Sequence, residues 1–371
     1  MLKEIREKVL NHQRITKEEG MFLLRDAPLM ELAPLANTWR YHYNPDKNVT
    51  FVVDTNLNYT NVCDAYCTFC AFYRTEKDSD AYTHTVDEMM DKIGQAYSKG
   101  VTRILMQGGL NSKLPLEYYE NMLREAHKRF PDLSAHFYSA PEVKKMAQVS
   151  ELSVKEVLIR LKAAGLKSIP GGGSEVLTNR VKFKVSRLFP KGQVSDWTEV
   201  HREAHKLGIF TTATMMYGHL EEDEDIMEHL DVIRNLQDET KGFGAFIPWS
   251  FKKNDTALDK RIKEEAGPNK YLRIIALSRI YLDNVKHIQG SWFSEGKKTG
   301  QVSLHFGADD FGGTLFDENV MLAAGFYNRV TVDEVVTLIR ESGFMPVERT
   351  TEYEILKTYG NDAQVAEYIK L

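Results

Sequence analysis

The sequence predicts an α/β protein built as a (β/α)8 barrel of the TIM type, and three observations support this fold class. Short runs of apolar and β-branched residues alternate with amphipathic segments about eight times along the 371 residues. No shift of composition and no low-complexity linker interrupts the alternation between residues 51 and 330. Glycine-rich or polar segments follow most of the short runs. Parallel βαβ units produce this pattern, and about eight of them close a barrel.

The strands are predicted from their short apolar runs. The first, 51–58, has the sequence FVVDTNLN, and the fifth, 209–218, is rich in β-branched residues. Runs of this length that are bounded by glycine or polar residues are typical of strands buried in a parallel sheet. The other predicted strands are 101–109, 133–140, 166–175, 243–251, 287–292 and, as the last strand and its loop, 302–313.

The helices are predicted from their start and stop signals. Thr85 and Glu88 have the capping-box spacing at the start of the segment 85–100, and Gly100 ends it. Acidic residues occupy the first turn of 221–239, where they suit the helix dipole. The other predicted helices are 116–130, 153–165, 195–208 and 269–283.

Two extensions flank the predicted barrel, which spans residues 51–330. Residues 1–50 are predicted to form an N-terminal helical cap. Residues 331–371 begin with a helical pattern, VTVDEVVTLIRESG, and continue with a strand-like run, FMPVERTTE. We therefore expect a C-terminal α+β extension, a helix and a strand, packed on the outside of the barrel.

The composition is that of a globular enzyme and excludes several other classes of protein. The hydrophobic fraction of 42% and the charged fraction of 27% argue against a disordered chain. A net charge of −5 provides no broad basic surface for nucleic acid. No run of about 18 apolar residues predicts a transmembrane helix, and the charged N-terminus lacks the apolar core of a secretory signal. We expect a cytoplasmic protein with neither a nucleic-acid nor a membrane partner.

All the cysteines lie in one short window. Cys63, Cys67 and Cys70 have the spacing C-x3-C-x2-C, and this odd number in one cluster argues against a disulfide scaffold. Three thiolates at this spacing can bind three irons of a [4Fe–4S] cluster and leave the fourth iron open, whereas electron-transfer clusters usually have four cysteine ligands. Two alternatives stay open at this point: three inert buried thiols, or a zinc site completed by His84.

The unusual motifs of the sequence follow predicted strands. Active sites of barrels of this type lie at the carboxyl ends of the strands. The motifs therefore predict one site on one rim of the barrel. In chain order they are the cysteine loop, QGGL (107–110), PGGGSE (170–175), MMYGHLE (215–221), PWSF (248–251) and GADDFGGT (307–314).

The cysteine motif resembles that of the radical S-adenosylmethionine (SAM) superfamily, in which an aromatic residue precedes the last cysteine as Phe69 does here. The resemblance implies that Cys63, Cys67 and Cys70 hold a [4Fe–4S] cluster whose open iron is chelated by the amino and carboxylate groups of SAM. Reduction of the cluster then cleaves a C–S bond of SAM and gives a 5′-deoxyadenosyl radical. In such an enzyme the cofactors carry the chemistry, and the protein supplies position and excludes water.

Other blocks are similar to elements that contact SAM in this superfamily. Gly108 and Gly109 resemble the start of the GGE element, which contacts the SAM amino group, although Leu110 stands in place of the glutamate. Glu175, after three glycines, matches a glutamate that bonds the ribose or the amino group of SAM. The other SAM contacts that the resemblance implies are Phe69, Arg180 at the carboxylate, and Met216, Tyr217 and Gly218 at the adenine.

Several blocks narrow the resemblance to the cyclic dehypoxanthine futalosine synthases, which are radical SAM enzymes of the futalosine route to menaquinone. The similarity runs over about residues 50–345. Sister families, aminofutalosine synthase and the subunits of deazaflavin (F0) synthase, stay open as alternatives, as does a non-enzymatic metal protein. The blocks are DTNLNYTNVCDAYCTFCAFYR, LMQGGLNSKLPLEYYENM, SIPGGGSEVL, TTATMMYGHLE, LQDET, AFIPWSF and GADDFGGT.

The family resemblance implies a cyclisation reaction. The radical takes the C4′ hydrogen of dehypoxanthine futalosine, and the resulting carbon radical adds to the benzoate ring. Loss of one electron and one proton then restores aromaticity. A flavodoxin- or ferredoxin-type protein is the implied reductant.

Residues on the predicted rim are candidates for the remaining roles. Asp309 and Asp310 follow the last predicted strand, and we expect them across the barrel mouth from the cysteine loop. Together with His305 they are predicted to bind substrate or to accept a proton. The candidates for further substrate contacts are Tyr138, His219 and Trp249, the last as a wall for an aromatic group.

Overall fold

Parallel strands form the centre of the fold, as the sequence predicts. In the computed structural model, seven strands hydrogen-bond in chain order into one curved parallel sheet. They are β2 (Asp54–Leu57), β3 (Arg103–Met106), β4 (Ser134–Phe137), β5 (Ser168–Ile169), β6 (Phe210–Tyr217), β7 (Phe243–Ser250) and β8 (His287–Ile288). The structure describes residues 1–187, 191–253, 256–315 and 329–360.

Two contacts close this sheet into a barrel. β1 (Asn48–Val52) leads into β2 after a single residue and pairs in parallel with β9 (Asp310–Gly313). Gln289, directly after β8, forms a parallel bridge with Asp310. β9 therefore lies between the end of β8 and β1 and completes the ring of strands. The predicted TIM-type fold class is confirmed.

Helices cover the outside of the barrel between successive strands. α4 (Val86–Tyr97) begins with the predicted capping box, because Thr85 and Glu88 each accept a hydrogen bond from the other's backbone N–H. The helices that follow α4 are α5 (Leu116–Arg129), α6 (Ala140–Ser150), α7 (Val154–Ala163), α8 (Asn179–Lys184), α9 (Val194–Lys206), α10 (Asp223–Thr240) and α11 (Pro268–Tyr281).

Among the described residues, we find no helix with both the length and the apolar character needed to cross a bilayer.

Three helices precede the barrel and form the region predicted as a cap. Arg40, in the third of them, is fully buried. Its guanidinium donates to the carbonyl of Ala308 at 3.1 Å and to that of Asn48 at 3.0 Å, so this helix is fixed to the amino-terminal end of the barrel. The three helices are α1 (Leu2–Leu10), α2 (Lys17–Arg25) and α3 (Leu29–Tyr43).

The predicted last strand, 302–313, is wrong in its first half. After the short α12 (Trp292–Glu295), α13 (Lys297–Ser303) and a 3-10 turn (Leu304–Phe306) occupy this part of the chain. Buried and exposed positions there do not alternate as in a strand, and an apolar run this short is compatible with either structure. β9 consequently starts at Asp310, where the prediction placed a loop after the strand.

The C-terminal extension contains the predicted helix and strand. α14 (Val332–Glu341) is followed by β10 (Met345–Arg349), which pairs in parallel with β1. A further strand, β11 (Ile355–Thr358), runs antiparallel to β10 and was not predicted. Residues 361–371 lie outside the described part of the chain. The division of the chain into 1–50, 51–330 and 331–371 stays a prediction.

Candidate active site

The three cysteines lie on the loop that leaves the carboxyl end of β2. Cys67 is buried, Cys63 and Cys70 are partly exposed, and all three are free thiols. The N–H of Cys63 donates to the carbonyl of Arg74 at 3.0 Å, and the N–H of Cys70 donates to that of Cys67 at 3.3 Å. Burial raises the pKa of the Cys67 thiol to about 12. Metal binding therefore has to displace the proton of this thiol.

Thr68, between the second and third cysteines, fastens the loop to the rim of the barrel. Its hydroxyl donates to the carbonyl of Val185 at 2.7 Å. Its own carbonyl accepts from the N–H of Leu258 at 3.0 Å. The cysteine loop is therefore held between the end of α8 and the 3-10 turn Asp259–Arg261.

The glycine pair after β3 packs directly against the cysteine loop. A Cβ atom on Gly109 would lie 2.1 Å from the carbonyl oxygen of Val62 and 3.0 Å from the Cβ of Cys63. The N–H of Gly109 donates to the carbonyl of Thr60 at 2.9 Å. Glycine is thus required here for close approach to the loop, with no left-handed conformation involved.

The donor set fits an iron–sulfur cluster better than a single metal ion. A tetrahedral zinc site brings its thiolate ligands to about 2.3 Å from one ion. Among the described residues, no three His, Cys, Asp or Glu side chains converge in this way, so a zinc site completed by His84 gains no support. In a [4Fe–4S] cluster each thiolate binds a different iron, and three separate cysteines on one loop suit that arrangement.

A cavity of about 240 Å³ lies inside the barrel and reaches the cysteine loop at Phe69. One part of its wall is apolar, which favours exclusion of water. The apolar lining includes Phe69, Leu105, Met216, Ile247, Trp249 and Phe293. The polar lining includes Asp54, Asn56, Arg103, Gln107, His136, Glu175 and Gln289.

Three consecutive glycines, 171–173, form one edge of the cavity where β5 ends. A Cβ on Gly171 would lie 2.7 Å from the backbone nitrogen of Thr214, and a Cβ on Gly173 would lie 2.2 Å from a ring carbon of Pro141. The hydroxyl of Thr214 donates to the carbonyl of Gly171 at 2.8 Å. These glycines let the chain after β5 pack tightly against β6 and α6.

Glu175 follows the glycines and is 7% exposed. Its carboxylate lies 3.4 Å from the Nζ of Lys182 and 3.6 Å from that of Lys191. Burial alone would raise the pKa of Glu175, but the two lysines outweigh it and hold that pKa below the usual range. On the side of the cysteine loop, the cavity therefore has a carboxylate whose ionised form is favoured by the two neighbouring lysines.

Comparison with known proteins identifies the family. Residues 57–233 match the model of the radical SAM superfamily, and residues 240–361 match the model of the CofH/MqnC C-terminal region. The chain is 40% identical over 363 residues to a cyclic dehypoxanthine futalosine synthase of Halalkalibacterium halodurans, an alignment that covers 98% of this chain and 97% of that protein. The chain belongs to the radical SAM superfamily.

Other similar proteins carry different names. The chain is 37% identical over 359 residues to an aminodeoxyfutalosine synthase of Thermus thermophilus, with 96% of each chain covered. It is 40% identical over 319 residues to a 5-amino-6-(D-ribitylamino)uracil–L-tyrosine 4-hydroxyphenyl transferase of Methanopyrus kandleri, with 84% and 86% covered. The solved structure of methylornithine synthase (PylB) superposes with a TM-score of 0.71 at 14% identity, covering 98% and 99% of the chains, and this likeness concerns the fold alone.

This radical SAM enzyme uses a [4Fe–4S] cluster and SAM, as the superfamily does. Its structure brings part of the predicted SAM contacts together. Gly109 packs against Val62 and Cys63 of the cysteine loop, and Gly108 packs against the ring of Tyr59, which precedes this loop. The predicted site residues that line the cavity are Phe69, Glu175, Met216 and, among the substrate candidates, Trp249.

The Arg180 side chain forms ion pairs away from the cavity. Its guanidinium donates to Glu222 at 2.8 Å and to Asp225 at 3.1 Å, at the start of α10. It is not among the residues that line the cavity. The structure thus places Arg180 outside the cavity lining, and its contact with the SAM carboxylate stays a prediction.

The residues after Met216 form a tight turn rather than an open adenine contact. The Tyr217 side chain is fully buried outside the cavity lining. Glu221 accepts from the N–H of Gly218 at 2.6 Å and from that of His219 at 2.8 Å. The His219 ring is bonded to the carbonyl of Met216 at 2.7 Å. Tyr217 and His219 are thus placed as structural groups, and a backbone role for Gly218 stays a prediction.

Tyr138 is also placed away from the cavity. Its hydroxyl donates to the carbonyl of Tyr119 at 2.9 Å, and its ring packs edge-on against those of Tyr59 and Tyr119. The residue is fully buried, with a φ of 61° that turns the chain into α6. Tyr138 was predicted to contact the substrate, but the structure buries its side chain outside the cavity lining.

The predicted position of Asp309, Asp310 and His305 is wrong. The two aspartates stand at the start of β9, at the end of the barrel opposite the cysteine loop, and none of the three lines the cavity. Asp309 is paired with Arg279, and Asp310 is paired with Arg349. The His305 ring packs against Phe344 of the C-terminal extension, with the ring centroids 5.3 Å apart. The error follows from the misplaced last strand.

Sequence reasoning missed polar residues inside the barrel. Asp54 and Asn56 alternate along β2, and Arg103, His136 and Gln289 face the same interior. Charged and amide side chains within otherwise buried strands are uncommon. That departure from an apolar pattern is the signal that could have indicated them.

Proposed function

We propose that this radical SAM enzyme is a cyclic dehypoxanthine futalosine synthase of menaquinone biosynthesis. The observation that carries the proposal is the 40% identity to a protein of that name over almost the full length of both chains. The transferase of Methanopyrus kandleri is equally identical but aligns with only 84% of this chain. A second synthase of the same name, from Streptomyces coelicolor, is 40% identical over 94% of the chain.

The proposed reaction joins the ribose of the substrate to its benzoate ring. The C4′ hydrogen moves to 5′-deoxyadenosine, C4′ forms a bond to a ring carbon, and the ring then loses one proton and one electron. When bound, the cluster and SAM supply the 5′-deoxyadenosyl radical and take back one electron. The product therefore has two hydrogens fewer than the substrate.

The residues of the chain have binding and shielding roles in this proposal. Cys63, Cys67 and Cys70 would hold the cluster. The backbone carbonyls of the glycine pair would accept from the SAM amino group, because both glycine N–H groups already donate within the protein. Glu175 is an ionised acceptor for the SAM amino group or ribose hydroxyls. The apolar wall excludes water from a reactive carbon radical, and we assign Trp249 to this wall beside the benzoate ring.

The physiological setting of the reaction forms part of the same proposal. A small flavodoxin- or ferredoxin-type protein would deliver the electron, because three cysteines hold only one cluster and leave no internal relay. We place the enzyme in the cytoplasm, where thiols stay reduced and free cysteines persist.

An anaerobic assay tests the proposal. The reconstituted protein is mixed with dithionite, SAM and dehypoxanthine futalosine, and the products are identified by mass spectrometry. We expect 5′-deoxyadenosine together with a product lighter by two hydrogens. The variant in which all three cysteines are replaced by alanine is the control, and it should bind no iron and form neither product.

The second candidate is aminodeoxyfutalosine synthase, because the chain is 37% identical to a protein of that name over 96% of its length. Cleavage of SAM without any change in dehypoxanthine futalosine would reject the cyclase. Formation of aminodeoxyfutalosine from candidate precursors would then identify this second activity.

A further inference from the structure

The end of the cavity farther from the cysteine loop contains a buried ion pair to which the proposed function gives no role. Asp54 and Arg103 stand opposite each other on β2 and β3, and both line the cavity. The Nη2 of Arg103 donates to a carboxylate oxygen of Asp54. Their side chains are 0% and 9% exposed, so the pair is shielded from bulk water.

Asp54 is fixed from the side that faces away from Arg103. Its Oδ1 accepts from the N–H of Leu315 at 3.0 Å, and its own N–H donates to the hydroxyl of Thr314 at 3.0 Å. A Cβ on Gly313 would lie 2.1 Å from the same Oδ1, so glycine leaves room for this carboxylate. Asp54 is therefore a rigid support that orients the guanidinium.

Arg103 keeps binding capacity beyond this support. A guanidinium carries five N–H donors in a fixed fork. The Arg103 side chain is 9% exposed and lines the cavity, so one part of this fork can be reached from inside the barrel. The neighbouring His136 is bonded to the hydroxyl of Ser168 at 2.9 Å, and burial lowers its pKa well below the usual range. Arg103 is therefore the cation at this end of the cavity wall that remains open to a ligand.

The wall next to Arg103 suits a flat apolar group. Leu105 follows it on the same face of β3, and Ile247, Trp249 and Phe293 line the cavity farther along. The rings of Trp249 and Phe293 have centroids 6.3 Å apart with an interplanar angle of 49°. An aromatic ring that carries a carboxylate at one end matches this combination of an apolar slot and a terminal guanidinium.

We propose that Arg103, oriented by Asp54, binds the aryl carboxylate of the substrate. The inference rests on the proposed function and adds the direction in which the substrate lies. The carboxylate is at the deep end of the barrel, and the rest of the molecule extends toward the cysteine loop. Arg103 is a binding residue in this arrangement, and Asp54 is a positioning residue.

A double-mutant cycle between protein and ligand tests this assignment. Dissociation constants are measured by anaerobic calorimetry on the reconstituted enzyme for dehypoxanthine futalosine and for its benzamide analogue, and for benzoate and benzamide as minimal probes. We expect the wild-type enzyme to bind the acid about 10- to 100-fold more tightly than the amide. In Arg103→Gln this preference should disappear, while SAM binding and iron content stay unchanged.

Three further variants separate binding from folding. Arg103→Gln leaves Asp54 without its counter-charge, so the double variant Asp54→Asn/Arg103→Gln, which removes both charges, serves as the folded reference. Asp54→Asn alone should reduce the preference for the acid but retain part of it, because an amide oxygen still accepts from the guanidinium. Arg202→Gln, which breaks an exposed ion pair with Glu239 on the outer helices, is the matched control.

The outcomes separate this inference from the proposed function. A wild-type enzyme that prefers the acid through Arg103 but does not convert dehypoxanthine futalosine would reject the cyclase and retain the carboxylate site. A wild-type enzyme with no preference for either acid, or an Arg103→Gln variant that weakens acid and amide equally, would overturn the site.

Discussion

The carboxylate of Glu142 accepts a hydrogen bond from the backbone N–H of Gly108 at 3.0 Å. Its buried side chain also accepts from the hydroxyl of Tyr59 at 2.6 Å and from the N–H of Ser139 at 2.6 Å. Helix α6 is thus hydrogen-bonded, through Glu142, to the first residue of the glycine pair. The sequence has Leu110 where the GGE element has its glutamate. The buried carboxylate next to the glycines comes instead from Glu142 of helix α6.

Replacing Glu142 with glutamine should weaken SAM binding. Burial raises the pKa of this carboxyl, and the hydrogen bonds from Ser139, Tyr59 and Gly108 oppose that effect. In Glu142→Gln the amide nitrogen would meet N–H and O–H donors, and a buried donor left without a partner costs about 1–3 kcal/mol. We expect a dissociation constant for SAM that is higher by about 10-fold, measured by equilibrium binding to the reconstituted enzyme.

Tyr59→Phe is the matched control for this experiment. It removes one donor to the carboxylate but leaves the bond from Gly108 in place. Its affinity for SAM should stay within about twofold of the wild-type value. Unchanged SAM affinity in a folded Glu142→Gln variant would show that the glycine pair does not depend on this carboxylate.

A methyl group at Gly109 should displace the cysteine loop. The added Cβ would lie 2.1 Å from the carbonyl oxygen of Val62, and backbone atoms cannot yield as a flexible side chain does. We expect Gly109→Ala to retain less than about half of its iron after reconstitution and to lose stability by about 1–3 kcal/mol. Iron is measured per chain, and stability by denaturant unfolding.

Gly267→Ala provides the comparison for that variant. Nothing lies within 4 Å of a Cβ at Gly267, and its φ of −86° is accessible to alanine. This variant should retain the iron content and stability of the parent. Equal iron retention in both variants would contradict the packing role of Gly109.

Acidification should destabilise the fold through its buried histidines. The Nδ1 of His229 accepts from the N–H of Leu177 at 2.9 Å, and burial, together with the charge of Lys182, lowers the pKa of His229 to about 3. The unfolded chain, with a histidine pKa near 6.5, takes up protons first. The stability that neutral His229 contributes is therefore complete above pH 6.5 and is lost as the pH falls toward 3.

The size of this effect can be measured on one residue. Between pH 7 and pH 5, His229 alone should lower the free energy of unfolding by about 2 kcal/mol. His229→Asn offers an acceptor oxygen without a titrating ring, so the loss over that range should shrink by this amount. His127→Asn, on the exposed face of α5, should leave the slope unchanged. Parallel pH profiles for all three proteins would contradict the assignment.

The regular part of the fold could be predicted from local sequence. The alternation of apolar runs and helical segments predicted the barrel. The spacing of Thr85 and Glu88 predicted the start of α4, because a capping box involves only neighbouring residues. The cysteine loop was placed correctly because it directly follows β2. These features depend on contacts that are short in sequence.

Features that depend on tertiary context could not be predicted in the same way. The apolar run before β9 packs as a helix, and periodicity over so few residues does not distinguish helix from strand. Because of this error, Asp309 was predicted at the carboxyl ends of the strands, whereas it lies at their amino ends. The interior position of Asp54 and Arg103 depends on the register between β2 and β3, which a single sequence does not contain.

Asp309 should therefore act on stability and not on the chemical step. Its carboxylate accepts from Arg279, from the His287 ring and, at 2.9 Å, from the amide of Asn44. Burial alone would raise the pKa of Asp309, but His287 and Arg279 outweigh it and hold that pKa below the usual range. Asp309→Asn leaves the fully buried Arg279 without its counter-charge, which costs about 3–5 kcal/mol.

The measurement combines denaturant unfolding with turnover at a temperature at which the variant is still folded. We expect the unfolding midpoint of Asp309→Asn to fall while kcat per folded chain stays within about twofold of the parent value. Asp223→Asn, which breaks an exposed pair with Arg25, should lower stability by less than about 1 kcal/mol. Asp309 lies at the far end of the barrel and does not line the cavity, so we expect no direct effect on the chemical step. A large loss of kcat at unchanged stability would contradict this assignment and support a catalytic role.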